Sequence, residues 1–182
     1  ADYLTWQFKE RLELIKGRLF RMSPAPKRIH QEISGAIFGE IRNFLKKKSC
    51  KVYSAPFDVR FPGRTTNDND EETSTVVQPD ICIICDTSKL DDRGCFGAPD
   101  LIVEILSPAS SEKDVKDKYE LYQENKVKEY WIVFPDFHIL EVFKLNEKGI
   151  YYLDNRYTKS DQVTTTVLPG LLIDLNEVFS EV

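Results

Sequence analysis

Ala98-Pro99-Asp100-Leu101-Ile102-Val103-Glu104-Ile105-Leu106-Ser107-Pro108 is the stretch from which the rest of the chain can be read. Aliphatic residues fill every position from Leu101 to Leu106 except Glu104, and a proline stands on either side. That pattern predicts a strand buried on both faces, inside a sheet covered from above and below. A helix is predicted next, about Glu112–Asn125, with Ser110 or Ser111 as its cap. Strands over Tyr130–Phe134 and Ile139–Leu145 follow, around Pro135-Asp136. On the amino-terminal side, Val52–Phe61 and Val76–Cys85 read as two strands joined by the acidic loop Thr65–Thr75. Before them His30, Ile33, Ile37, Ile41 and Phe44 form one helical stripe at about 100° per residue. Lys46–Lys48 are placed in that helix's last turn, where they favour its dipole. Leu12–Ile15 and Arg18–Met22 flank Lys16-Gly17 as a hairpin. Further strands are expected at Ile150–Leu153 and Val163–Val167, with an amphipathic tail at Leu175–Phe179. The order predicts an α+β fold with a mixed central sheet flanked by helices, in one domain over residues 1–182.

The 182-residue chain is 41% hydrophobic and 30% charged, within the globular range. A domain of this size buries roughly 70% of its unfolded surface without staples. Its apolar runs are strand-sized, far from the roughly 18 residues of a membrane helix, and no secretory signal is visible. Four cysteines do not make a disulfide framework, so a reducing, cytoplasmic setting is expected. The net charge of −5 hides a split. Residues 1–64 carry 14 Lys and Arg against 6 Asp and Glu, a net of +8, while residues 65–182 carry 11 against 24, a net of −13. Either the two halves form separate functional surfaces or the charges are mixed solvated faces.

Glu104 carries the first chemical signal. A carboxylate in a buried strand must be paired, protonated or bound to a cation. Asp100 shares its face, but four residues at about 3.3 Å rise put the two roughly 13 Å apart. Asp80, in Pro79-Asp80, becomes a neighbour of Glu104 if the two strands pair in register, so Asp80 is the better partner and Asp100 the opener of its strand. On the following helix, Lys118 falls inside the apolar arc of Val115, Tyr119, Leu121 and Tyr122, whereas Lys113 and Lys116 fall outside it. Such a lysine either snorkels, pairs with Asp114 or reaches a buried charge. His30 lies on an apolar helix face, where a satisfied core histidine is the plain alternative to a ligand. Glu13 and Glu32 are weaker carboxylate candidates. Cys82 and Cys85 alternate faces on one strand and so cannot grip one metal. Together with Cys50 and Cys95 they read as apolar fillers or incidental thiols. No phosphate-binding glycine loop, serine elbow or H-E-x-x-H is present.

Gln78-Pro79-Asp80-Ile81, the Ala98–Pro108 stretch, Lys118-Tyr119-x-x-Tyr122 and Val127-Lys128-Glu129-Tyr130-Trp131-Ile132-Val133 together resemble the Uma-two family, within the PD-(D/E)XK restriction-endonuclease-like superfamily. Glu13–Gly17, Met22-Ser23-Pro24 before His30, and Pro169-Gly170-Leu171 fit the same resemblance. It implies a restriction-endonuclease-like core and a Mg2+- or Mn2+-dependent endonuclease. Asp80 and Glu104 would be metal ligands, with Lys118 as the catalytic lysine. His30 and Glu13 would stand just behind the metal ligands or on the substrate side. Nucleic acid, DNA in particular, is the implied partner, Arg21, Lys27 and Arg28 the residues that would contact it, and a homodimer is compatible by analogy. Two positions depart from the pattern. Leu106 stands where the superfamily places its lysine, and Phe134 where such sequences carry Asp after Tyr-Trp-Ile-Val. The first departure keeps open a catalytically inactive nucleic-acid- or protein-binding module on the same fold.

Overall fold

The structure is a computed structural model and describes residues 12–21, 27–62, 75–107 and 112–180. The Ser110 and Ser111 caps, Met22-Ser23-Pro24 and the acidic loop before Thr75 lie outside the described residues. Two six-stranded sheets make up most of the fold. The first runs in the order β2 (Arg18–Arg21), β1 (Leu12–Ile15), β5 (Thr75–Val77), β4 (Val59–Phe61), β8 (Gly94–Phe96), β7 (Leu90–Asp91). The second runs β12 (Tyr151–Thr158), β11 (Ile139–Leu145), β10 (Glu129–Phe134), β9 (Leu101–Ile105), β6 (Ile81–Ile84), β3 (Lys51–Ser54). Helices α1 (Arg28–Phe44), α2 (Glu112–Glu124) and α3 (Leu175–Val178) and a small β13–β14 ladder (Gln162–Thr164, Leu172–Asp174) complete it. The class is α+β. No described helix is long and apolar enough to cross a membrane.

β9 is the buried centre of the second sheet, antiparallel to β6 and parallel to β10, with α2 as the crossover between the parallel pair. All five of its residues are buried. Alternation then decides which side each serves. Leu101, Val103 and Ile105 pack with Ile33, Ile37 and Ile41 of α1. Ile102 packs with Leu121 and Tyr122 of α2 and with Val59, Phe61 and Val77 of the first sheet. Glu104 shares the parity of Ile102, so its carboxylate enters the side walled by α2 and the first sheet.

The hairpin turn expected at Lys16-Gly17 forms, with φ of 51° and 77°, both positive as a type I′ turn requires. Two expected strands each split in two. Val52–Phe61 breaks at the cis Ala55-Pro56 bond into β3 and β4, and Val76–Cys85 breaks at Gln78-Pro79-Asp80 into β5 and β6. A proline supplies no ladder donor, so each break lets the chain leave one sheet for the other, and one expected sheet becomes two. Lys46–Lys48 lie beyond the end of α1, whose last-turn cation is Arg42. The β7–β8 hairpin and β14 were not legible as strands because each is only two or three residues long. Gly94 is needed in that hairpin, since a Cβ there would meet the Asp58 carbonyl oxygen.

The cysteine reading is corrected. Cys82 and Cys95 are buried free thiols, but Cys50 and Cys85 form a disulfide. The β3–β6 register pairs Lys51 with Ile84, so the residues just beyond, Cys50 and Cys85, face one another across the strands. Spacing along the chain does not disclose a cross-strand partner 35 residues away.

Candidate active site

Asp80 sits where the chain passes from β5 to β6. Its carbonyl oxygen accepts from Ala55 N at 3.0 Å. Its Oδ2 accepts from Ile105 N at 2.8 Å and lies 3.1 Å from His30 Nε2. The antiparallel register Ile81↔Val103 continues to this end of the ladder and brings Asp80 beside Glu104. His30 arrives from the first turn of α1, which packs across the opposite face of the sheet. Lys118 and Tyr122, four apart on α2 and so on one helix face, donate to the same atom. Lys118 Nζ is 2.9 Å and Tyr122 OH 2.6 Å from Glu104 Oε1. Glu13 of β1 completes the group. Its Oε1 is 3.4 Å from Lys118 Nζ and accepts from Gln78 N at 3.1 Å.

The structure therefore gathers Glu13, His30, Asp80, Glu104 and Lys118 at one place, on residues from both sheets and two helices. Tyr122 was missed as a site residue, although its place one turn after Lys118 was the available signal. Asp100 stands apart and has structural work, accepting from Cys85 N at 2.8 Å and from Lys128 Nζ at 2.7 Å. Lys27 and Arg28 open α1 just before His30, and Arg28 also pairs with Glu32 at 2.5 Å. The side chain of Arg21 and that of Asp114 fall outside the described residues.

Burial dominates the electrostatics. It pushes the Glu104 carboxyl up to about 7, against the pull of Lys118 and with further upward pressure from Asp80 and Glu13. Burial opposes the charged form of Lys118, but Glu104 and Glu13 outweigh it and hold the ammonium above its ordinary range. Burial likewise disfavours a charged His30, yet the hydrogen bond and charge of Asp80 raise the imidazole above its usual value. A carboxyl whose folded value exceeds the ordinary 4.5 contributes stability fully below about 4.5, and that contribution is lost as pH rises through about 7. His30 adds a loss of the same sign above its ordinary 6.5. Glu104→Gln should therefore flatten the fall of stability between about pH 4.5 and 7, read by urea unfolding at several pH values. An unchanged slope would mean that Glu104 does not titrate in that window.

Carboxylate oxygens are the donors that Mg2+ and Mn2+ prefer. On each of Glu13, Asp80 and Glu104 one oxygen takes every hydrogen bond, and the other takes none among the described residues. His30 Nδ1, also buried, has no partner among the described residues. The donor set fits a hard divalent cation. The spacing does not yet gather it, because among the described residues no three His, Cys, Asp or Glu groups stand close enough to hold an ion.

Residues 1–176 match the family described as "Putative restriction endonuclease". An uncharacterized protein of Synechocystis sp. is 24% identical over 165 residues, covering 89% of this chain and 81% of the relative. The crystal structure of "a putative nuclease belonging to DUF820" from Anabaena variabilis superposes with a TM-score of 0.74 at 18% identity, covering 98% of this chain and 95% of that one. At that identity the likeness speaks for the fold alone. With the match spanning nearly its whole length, the chain belongs to the Uma-two family of restriction-endonuclease-like proteins.

Proposed function

We propose that this protein is a divalent-metal-dependent endonuclease of a single domain, hydrolysing phosphodiester bonds in nucleic acid, DNA in the first instance. The observation that carries the reading is the placement of Asp80 beside Glu104 with Lys118 on the same carboxylate. Asp80 and Glu104 would hold Mg2+ or Mn2+. Such an ion, when bound, polarises the scissile phosphate and lowers the pKa of an attacking water. Lys118 supplies a positive charge for the crowded negative oxygens of the transition state. His30 holds Asp80 Oδ2 in place and so orients a carboxylate that would bind the cation. In the metal-free protein Glu13 pairs with Lys118 and accepts from Gln78 N.

Mg2+ or Mn2+ should raise the melting temperature of the wild type by mass action, and Asp80→Asn and Glu104→Gln should each abolish the shift together with metal-dependent cleavage. A shift that survives in both variants would remove the proposed site. The second reading, an inactive binding module, is favoured by Leu106 at the superfamily's lysine position. It predicts nucleic-acid binding without turnover under any divalent metal. Sedimentation with bound duplex would tell a monomer from a homodimer.

The path of the substrate follows from charge. Lys27 and Arg28 border the site at the start of α1, with Arg21 before them in sequence, whereas Lys46–Lys48 stand past the other end of a 17-residue helix. At 1.5 Å per residue that is about 25 Å away. Neutralising Arg21, Lys27 and Arg28 should lower the salt slope of nucleic-acid binding by about one for each phosphate that is no longer paired, and neutralising Lys46–Lys48 should lower it less. Titrations in Ca2+ at several salt concentrations measure both. Equal slopes for wild type and the first triple variant would exclude that cluster.

A further inference from the structure

Lys118 occupies the position that a cation would take. Its ammonium touches Glu104 and Glu13 at once, at 2.9 and 3.4 Å, and its side chain is only 18% exposed. Glu13 and Glu104 are each more than nine-tenths buried, and they come from different sheets. Three carboxylates, Glu13, Asp80 and Glu104, thus converge without forming a set that could hold an ion as it stands. The ammonium lies in the gap between two of them. A divalent ion binds carboxylate oxygen at about 2.0–2.1 Å, closer than an ammonium does, and two cations sharing so enclosed a gap repel one another. Glu13 does not depend on Lys118 for its place, because Gln78 N, two residues before Asp80, also holds its Oε1.

We infer that Lys118 is a resident counter-ion that a divalent metal displaces, with Glu13 as the third carboxylate of the metal-loaded site. The inference rests on the reading of the site as a metal centre and adds an order of events. In the free protein the ammonium is engaged by Glu104 and Glu13 and is withheld from substrate. Metal takes its place between the carboxylates and frees the ammonium for the scissile phosphate. Loading of metal is thereby coupled to arming of the lysine, and the same side chain that stabilises the empty site opposes its filling.

The test is binding, not turnover. Mn2+ titrations followed by the electron paramagnetic resonance of the free ion are made on wild type, Lys118→Met, Glu13→Gln and Asp80→Asn, with circular dichroism verifying each fold. Lys118→Met should bind Mn2+ about tenfold tighter than wild type, since the competing cation is gone. Glu13→Gln should bind about tenfold more weakly. On the wild type itself, the 15N resonance of the Lys118 ammonium, assigned by its absence in Lys118→Met, should shift and lose its protection from exchange when Mg2+ is added. Tighter binding by Lys118→Met with an unmoved ammonium resonance in the wild type would mean simple repulsion and would overturn the displacement. Glu13→Gln binding as tightly as wild type would overturn the role of Glu13. If neither wild type nor Lys118→Met takes up Mn2+ while both are folded, the metal-centre reading fails, and this inference fails with it.

Discussion

Lys118→Met should lower turnover by about a hundredfold or more while the affinity for nucleic acid barely moves, because the lost charge acts on the transition state. The same substitution should destabilise the metal-free protein by about 3 kcal/mol. That figure is at the low end for a broken buried pair, because the lysine retains 18% exposure while Glu104 and Glu13 have almost none. Methionine keeps the apolar stem, so the loss reports the charge and not the packing. Adding Glu104→Gln should restore most of the stability and none of the turnover. Urea unfolding without metal and single-turnover cleavage with Mg2+ measure the two effects. Near-wild-type cleavage by the methionine variant would leave Lys118 as a purely structural cation, and the search for the catalytic charge would move elsewhere.

Reduction of the Cys50–Cys85 disulfide should lower stability substantially without touching the site. It closes a loop of 35 residues. On the chain-entropy account such a loop stabilises the folded state by about 4 kcal/mol, on the order of 10 °C in melting temperature for a protein of this length. Dithiothreitol should lower the melting temperature of the wild type, and Cys50→Ser should reproduce the lowering and make the reductant inert. A wild type indifferent to dithiothreitol would mean that both cysteines are thiols in solution, as their sparse spacing along the chain suggests.

Legibility followed locality. Glu104 was readable because one carboxylate interrupts an otherwise aliphatic strand, and Lys118 because its angle on α2 places it among apolar side chains. Asp80 needed one further assumption, the register of two strands, which Ile81↔Val103 meets. Glu13 was weak as a candidate for a physical reason. It reaches the site from β1 of the other sheet, and no periodicity within the hairpin says which sheet lies opposite. The division into two sheets was hidden in the same way. Pro56 and Pro79 fall inside the two expected strands, yet each marks a change of sheet. The Cys50–Cys85 pair is a matter of register across strands, which spacing along one strand does not encode. Tyr122 falls in the apolar arc of α2, and it is fully buried. Its hydroxyl is what distinguishes it from a phenylalanine, and only the buried carboxylate opposite gives that hydroxyl a purpose.

The passage from one sheet to the other takes only Gln78, Pro79 and Asp80. Those three residues leave no slack, which gives the chain an uneven latitude for change in length. One residue inserted or deleted between Val77 and Ile81 would shift the β6 register by one and turn every β6 side chain to the opposite face. It would also carry Asp80 away from Ile105 N and His30 in the same stroke. Along β12, at the outer edge of the second sheet and mostly exposed, the same insertion would be absorbed as one more bulge beside the irregularity already present at Val142/Phe143. Descendants of this chain can therefore drift in length at that rim, while the crossover that carries Asp80 stays fixed to the residue.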